Sequence, residues 1–247
     1  MFPVANDRNP PSHAEVIGAG RDRRPLAQTL LRPATATVIL VHGLWTPAVV
    51  CSLHAHWLAQ RGYGTLRFGY PSVRRTLVEN AENLRRFVAA SGADDIHLVG
   101  HSLGGLLILE MLAQADEPRL RRVVLLGTPC RGSHCAQRLA AVKGMPALLG
   151  RSIMQWLARP GDAVARLPTT VAVGVIAGTR SVGLGRVVPG LPRPNDGVVT
   201  LAETQLPGAA DFLALPLAHS QLLASRSCAL QIASFLDSGR FQHALAR

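Results

Sequence analysis

Residues 96–106 read Ile96-His97-Leu98-Val99-Gly100-His101-Ser102-Leu103-Gly104-Gly105-Leu106, an apolar run that stops at a serine flanked by glycines. The first half has the texture of a strand buried on both faces, and the second half opens an apolar helix. Between them, Gly100-x-Ser102-x-Gly104 has the spacing of a nucleophile elbow, a sharp strand-to-helix turn that exposes a serine hydroxyl. Glycine is needed at the flanking positions because a side chain there would collide with the neighbouring strand and helix. The plainer alternative is a glycine-rich βα turn with an incidental serine. A string this short arises by chance in some chains, and what favours the elbow is the strand before it and the helix after it.

Outward from this turn the same alternation continues. Residues 37–41 form a β-branched apolar run ending in His42-Gly43, residues 47–61 read as helical, and residues 64–70 read as a strand stopped by Pro71. A helix is expected near 75–90, with Leu77, Val78, Ala81, Leu84 and Val88 at helical spacing, and further strands near 123–127, 171–177 and 212–217. A final amphipathic helix is expected over roughly 220–237. Strands alternating with helices of this length imply a mostly parallel sheet of about six strands with helices on both faces. The alternation pauses over 130–168, where Ala, Leu and Met dominate and Pro146, Pro160 and Pro168 interrupt, so a helical cap insertion is expected there. Residues 1–33, rich in Pro, Arg and polar side chains, read as an N-terminal arm before a domain over 34–247.

Composition narrows the functional classes. At 247 residues the chain is long enough to bury one substantial core. Its net charge of +11 is carried almost wholly by arginine, Lys143 being the single lysine. The arginines are spread along the sequence and aromatics make up only 4%, which argues against nucleic acid and leaves a solvated face, acidic partners or contact with an anionic membrane surface. Cys51, Cys130, Cys135 and Cys228 make no C-x-x-C pair, so neither a zinc site nor a disulfide framework is signalled, although a Cys130–Cys135 bridge stays open. His54 and His56 point apart on a helix and have no acidic companions, so no metal or cofactor is expected. Neither a signal peptide nor an apolar run of membrane-spanning length is visible, and a cytoplasmic location is expected.

A serine hydroxyl becomes a nucleophile only when a base takes its proton. Only His134, His219 and His243 follow Ser102. His219 comes just after the apolar run 212–217, at the same sheet edge as Ser102, and is the expected base; simple helix capping is the alternative. Among the acids between them, Glu110 lies in the helix after the elbow, and Asp116 and Glu117 lie at the other sheet edge. Asp211 would stand about 26 Å from His219 along an extended strand. Asp196, in Asn195-Asp196-Gly197, remains the best carboxylate to orient the base, with Glu203 and Asp162 as rivals and an Asp-Gly turn as its plain role. Donors for a developing oxyanion are expected from the backbone N–H groups of Leu44, after His42-Gly43, and Leu103.

These blocks resemble bacterial lipases and esterases of the α/β-hydrolase superfamily, close in pattern to triacylglycerol lipases and GPI inositol-deacylase-like proteins. The resemblance rests on 38–45, 99–105, Leu126-Gly127-Thr128-Pro129 with Arg131-Gly132-Ser133, 195–199 and Ala218-His219-Ser220. It implies an α/β-hydrolase fold, a catalytic triad of Ser102, Asp196 and His219, and a small-molecule or lipid-like ester substrate. Where such proteins usually carry histidine after the proline, this chain has Cys130, which leaves the wall of the acyl pocket open. An acyltransferase, thioesterase, amidase or polyester depolymerase would use the same residues, and a binding protein with an idle serine would keep the same fold.

Overall fold

The computed structural model describes residues 36–159, 171–183 and 188–243. The 1–33 arm and the 160–168 end of the expected insertion lie outside the described residues. Six strands, β1 (Thr37–Val41), β2 (Gly64–Phe68), β3 (Ile96–His101), β4 (Leu120–Leu126), β5 (Ala172–Gly178) and β6 (Asp211–Leu215), form one sheet. Their order is β2-β1-β3-β4-β5-β6, and every neighbouring pair is parallel. All six therefore end at the same edge, where loops gather into a site.

The helices are α1 (Ser52–Ala59), α2 (Leu77–Ala90), α3 (Leu103–Gln114), α4 (His134–Ala140), α5 (Met145–Ala158) and α6 (Arg226–Ser238). Strand residues alternate between two core layers, as a pleated strand requires. Ile39, Val41, Leu98 and Val123 pack with Leu84 of α2 and Leu107 of α3. Val38, Leu40, Val99 and Val124 pack with Leu58 of α1 and Ile232 of α6. Helices thus cover both faces of the sheet. The start of α2 is set by a capping box, in which the Thr76 hydroxyl accepts the Glu79 N–H and the Glu79 carboxylate accepts the Thr76 N–H.

Two expectations need correction. The last helix is not continuous over 220–237: a 3-10 turn, Ser220–Leu223, is followed by α6. The break falls at Ser225, whose backbone is extended and whose hydroxyl accepts the Cys228 N–H, so it caps a new helix. β4 begins at Leu120 rather than 123, because Arg121 at its open end is satisfied by Asp95 and needs no apolar neighbour.

The elbow is packed without slack. A Cβ placed on Gly105 would lie 1.9 Å from the Thr128 hydroxyl oxygen, and one on Gly100 would lie 2.7 Å from the Gly105 Cα. Gly105→Ala should therefore lower stability by about 1–3 kcal/mol, the usual cost of overpacking. Urea unfolding followed by circular dichroism checks this, and an unchanged midpoint would mean that Thr128 can yield.

Candidate active site

Ser102 joins β3 to α3 with φ 53° and ψ −120°, a sparsely populated conformation for any residue with a side chain. Its backbone N–H donates to the Leu126 carbonyl at 2.9 Å, which ties the turn to β4. The residue is half-buried and lines a cavity of about 300 Å³.

His219 lines the same cavity. Its Nδ1 lies 2.7 Å from Oδ2 of Asp196, which makes Nδ1 the donor and leaves Nε2 as the basic nitrogen. The His219 N–H also donates to the Asp196 carbonyl at 2.8 Å. Asp196 is fully buried, and its other oxygen accepts the N–H groups of Val198 at 2.9 Å and Val199 at 2.7 Å. One carboxylate oxygen therefore builds the turn while the other holds the imidazole. Asn195 supports the turn by accepting the Gly197 N–H and donating to the Pro192 carbonyl. Gly127 sits against the pair; a Cβ there would come within 3.1 Å of both Asp196 Oδ2 and His219 Nδ1.

The loop after β1 presents Leu44 to the cavity. His42 is buried and stacked on Tyr70; its Nδ1 lies 2.8 Å from the Gly43 carbonyl, and its Nε2 accepts the Tyr70 N–H at 3.3 Å. Nδ1 is therefore the donor, and the Thr46 hydroxyl donates to the same carbonyl at 3.1 Å. In a trans peptide C=O and N–H point oppositely, so fixing the Gly43 carbonyl fixes the Leu44 N–H on the other side. Leu103, the first residue of α3, presents its N–H at a helix N-terminus.

A residue that the spacing argument does not single out completes this side. His101 is buried; its ring centroid lies 4.6 Å from that of His219, and its Nε2 lies 3.0 Å from the His219 carbonyl. Burial, and then the neighbouring His219, hold its pKa well below 6.5, so it is neutral and donates from Nε2. The x position of G-x-S-x-G carried the only signal for it in the sequence. The remaining wall is apolar and includes Leu139, Leu149, Ile153, Val199 and Leu223.

The rival residues lie elsewhere or have other partners. The Glu203 carboxylate accepts the backbone N–H groups of His134 and Thr200. Asp211 begins β6 and pairs with His243. Glu110 is buried in α3, and Asp162 lies outside the described residues. His54 is buried and bonded to the Leu222 carbonyl, whereas His56 is exposed. All four cysteines are free thiols, which closes the question of a Cys130–Cys135 bridge. Cys130 is buried away from the cavity, and Cys135 lies on its wall.

The chain belongs to the alpha/beta hydrolase family, whose model matches residues 38–239. It is 33% identical over 104 residues to the N-formylmaleamate deformylase of Pseudomonas putida, covering 38% of each protein. It is also 28% identical over 102 residues to a protein of Azorhizobium caulinodans with the provisional name carbamate hydrolase RutD, covering 41% of this chain and 38% of that protein. The matches thus span about two-fifths of the length of these curated relatives. Among solved structures, the mature lipase BlEst2 of Bacillus licheniformis has a TM-score of 0.67 at 21% identity, over 83% of this chain and 92% of that one. The metagenomic carboxyl esterase MGS0156 has a TM-score of 0.57 at 22% identity, over 76% and 65%. These two likenesses establish the fold.

Burial of histidine has a consequence for stability. His42, His54, His97 and His101 all have pKa values lowered from 6.5, chiefly by burial, that of His97 to about 4. In the unfolded chain these groups titrate near 6.5, so below that pH the unfolded state binds more protons. Their stabilisation is complete above about pH 6.5 and is lost as pH falls toward the folded values. Each costs up to about 1.4 kcal/mol per pH unit. The urea midpoint should drop between pH 7 and pH 5, and less steeply in His97→Gln; equal midpoints at the two pH values would contradict neutral burial.

Proposed function

We propose that the chain is a serine hydrolase that cleaves carboxylic esters with an apolar acyl group through an acyl-enzyme intermediate. The observation that carries this reading is the 2.7 Å Asp196–His219 bond on the wall of the apolar cavity that Ser102 also lines. In the proposed reaction the Ser102 Oγ attacks the ester carbonyl carbon while His219 Nε2 takes its proton. Asp196 keeps the proton on Nδ1 and stabilises the imidazolium. The oxyanion accepts hydrogen bonds from the Leu44 and Leu103 N–H groups. Collapse expels the alcohol, which takes the proton from His219. Water, deprotonated by the same nitrogen, then releases the carboxylic acid and restores the serine.

The apolar wall supports an apolar acyl group, since burial contributes roughly 0.8 kcal/mol per methylene. Leu139 of α4 with Leu149 and Ile153 of α5 makes these helices the cap that would grade acyl length. A second reading, hydrolysis of a carbamate or an N-formyl group, draws on the names of the two curated relatives. It uses the same side chains and differs only in the leaving group.

A panel of p-nitrophenyl esters graded by acyl length, run beside a carbamate and an N-formyl amide, separates the readings. Ester hydrolysis should dominate, with Ser102→Ala and Asp196→Asn each lowering kcat by on the order of 10⁴-fold. Labelling by a fluorophosphonate should be abolished in Ser102→Ala. An idle serine would leave the wild-type chain unlabelled and would end the proposal. Ile153→Phe should shorten the longest acyl chain accepted, visible as a shift of the kcat/KM maximum; an unchanged maximum would remove α5 from substrate selection.

A further inference from the structure

We infer that the rim of the cavity is a docking surface for a bilayer containing anionic phospholipid. The charge of the chain is sorted in space. Residues 42–78 hold no Asp or Glu and place Arg74 and Arg75 after β2 at the cavity edge, and residues 130–159 hold five cations and no Asp or Glu. These two stretches supply the β1 loop and the α4–α5 pair, which both border the cavity.

Among the described residues the carboxylates lie elsewhere or are engaged. Asp94 and Asp95 precede β3, Asp116 and Glu117 precede β4, and Asp211 begins β6, so all five mark the opposite edge of a parallel sheet. Cations balance them there, as in the pairs Arg119–Glu117 and Arg121–Asp95. On the cavity side Asp196 is buried and Glu203 binds backbone N–H groups. At the start of α2 Glu79 caps the helix and Glu82 pairs with Arg85 and Arg86.

Exposed apolar side chains stand among the rim cations. Trp45 is 48% exposed, Val142 54% and Leu148 54%. Trp45 and Leu148 are joined across the rim, the indole N–H donating to the Leu148 carbonyl at 2.8 Å. Lys143 follows Val142 in the turn between α4 and α5, and Arg138 and Arg151 are exposed on those two helices.

An apolar patch alone would fit many partners. Amphipathic indole and aliphatic groups ringed by Lys and Arg, with no facing carboxylate from their own segments, match the chemistry of an anionic lipid surface. Such docking would point the cavity mouth at the bilayer. This inference does not depend on the proposed ester chemistry.

The test is sedimentation of the full chain with vesicles of phosphatidylcholine alone or mixed with phosphatidylglycerol. Binding is expected to the mixed vesicles at low salt, to weaken as salt rises, and to be slight with phosphatidylcholine alone. Arg138→Glu with Lys143→Glu should lower partitioning about tenfold or more. Val142→Ser should lower it as well, while hydrolysis of a dissolved p-nitrophenyl ester by both variants stays unchanged. Should the charge reversal fail to fold, Arg138→Gln with Lys143→Gln carries the same comparison. No binding to mixed vesicles, equal binding by the variants, or retention by soluble heparin without vesicle binding would each overturn the inference.

Discussion

No side chain fits between the start of α3 and the end of β1. A Cβ on Gly104 would fall 2.4 Å from the carbonyl oxygens of both Val41 and His42, so the two segments meet backbone to backbone. β1 is also paired with β3 in a register that sets Val41 against Gly100. Contact and register together leave the loop after β1 one place to go, beside the turn that carries Ser102. A Cβ on Gly43 would lie 3.3 Å from the Ser102 Cβ, which shows how near that loop comes. The Leu44 and Leu103 N–H groups can therefore face one small volume although they stand 59 positions apart in sequence.

The far side of the site solves a different problem, that of burying a carboxylate. Removing Asp196 from water is costly unless its lone pairs are used. Val198, Val199 and His219 use them, so the turn and the histidine stabilise the same buried group. The His219 backbone is held as firmly as its ring: the N–H donates to the Asp196 carbonyl, and the carbonyl accepts from His101. Because His101 directly precedes Ser102, the His219 loop is anchored to the strand that ends in the elbow. Neutrality of His101 suits the proposed reaction, since a charged ring 4.6 Å from His219 would oppose formation of an imidazolium.

How much of this was legible in the sequence follows from what each residue answers to. β1, β3 and β5 are covered on both faces, so their apolar runs announce them. Leu120–Arg122 gave no such signal, because strand residues at an open rim can be charged when a tertiary partner such as Asp95 waits for them. The interruption at Ser225 was hidden inside helical periodicity, which reports the buried face and not where hydrogen bonding restarts. Asp196 was reachable by chain order and elimination, yet its double use of two oxygens was not, because it depends on the bend at Gly197. His101 looked like a filler position in a motif; its contact with His219 joins residues 118 apart in sequence. The arginines looked scattered along the chain for the same reason. In a parallel sheet alternate loops go to opposite edges, so the arginines divide between both, while Asp94, Asp95, Asp116, Glu117 and Asp211 gather at one.

Membership of the alpha/beta hydrolase family accounts for the elbow and its surroundings, but the shape of the cavity is set by walls outside that framework. Here those walls come mainly from α4 and α5, and the attachment of α5 is specific. Its bend at Gly150 brings the backbone so close to Val73 that a Cβ would lie 2.5 Å from the Val73 Cα. The Arg151 N–H donates to the Val73 carbonyl at 2.8 Å, and the Ser152 hydroxyl links Asn80 of α2 to the Arg75 carbonyl. On either side of these anchors Leu149 and Ile153 face the cavity. An apolar wall held by hydrogen bonds to the body of the fold is shaped before substrate arrives, so little ordering entropy remains to be lost on binding. Under the proposed function, selection among acyl groups would follow from how well each fills a fixed volume, and the residues that fix it are those that tie α5 to the segment between β2 and α2.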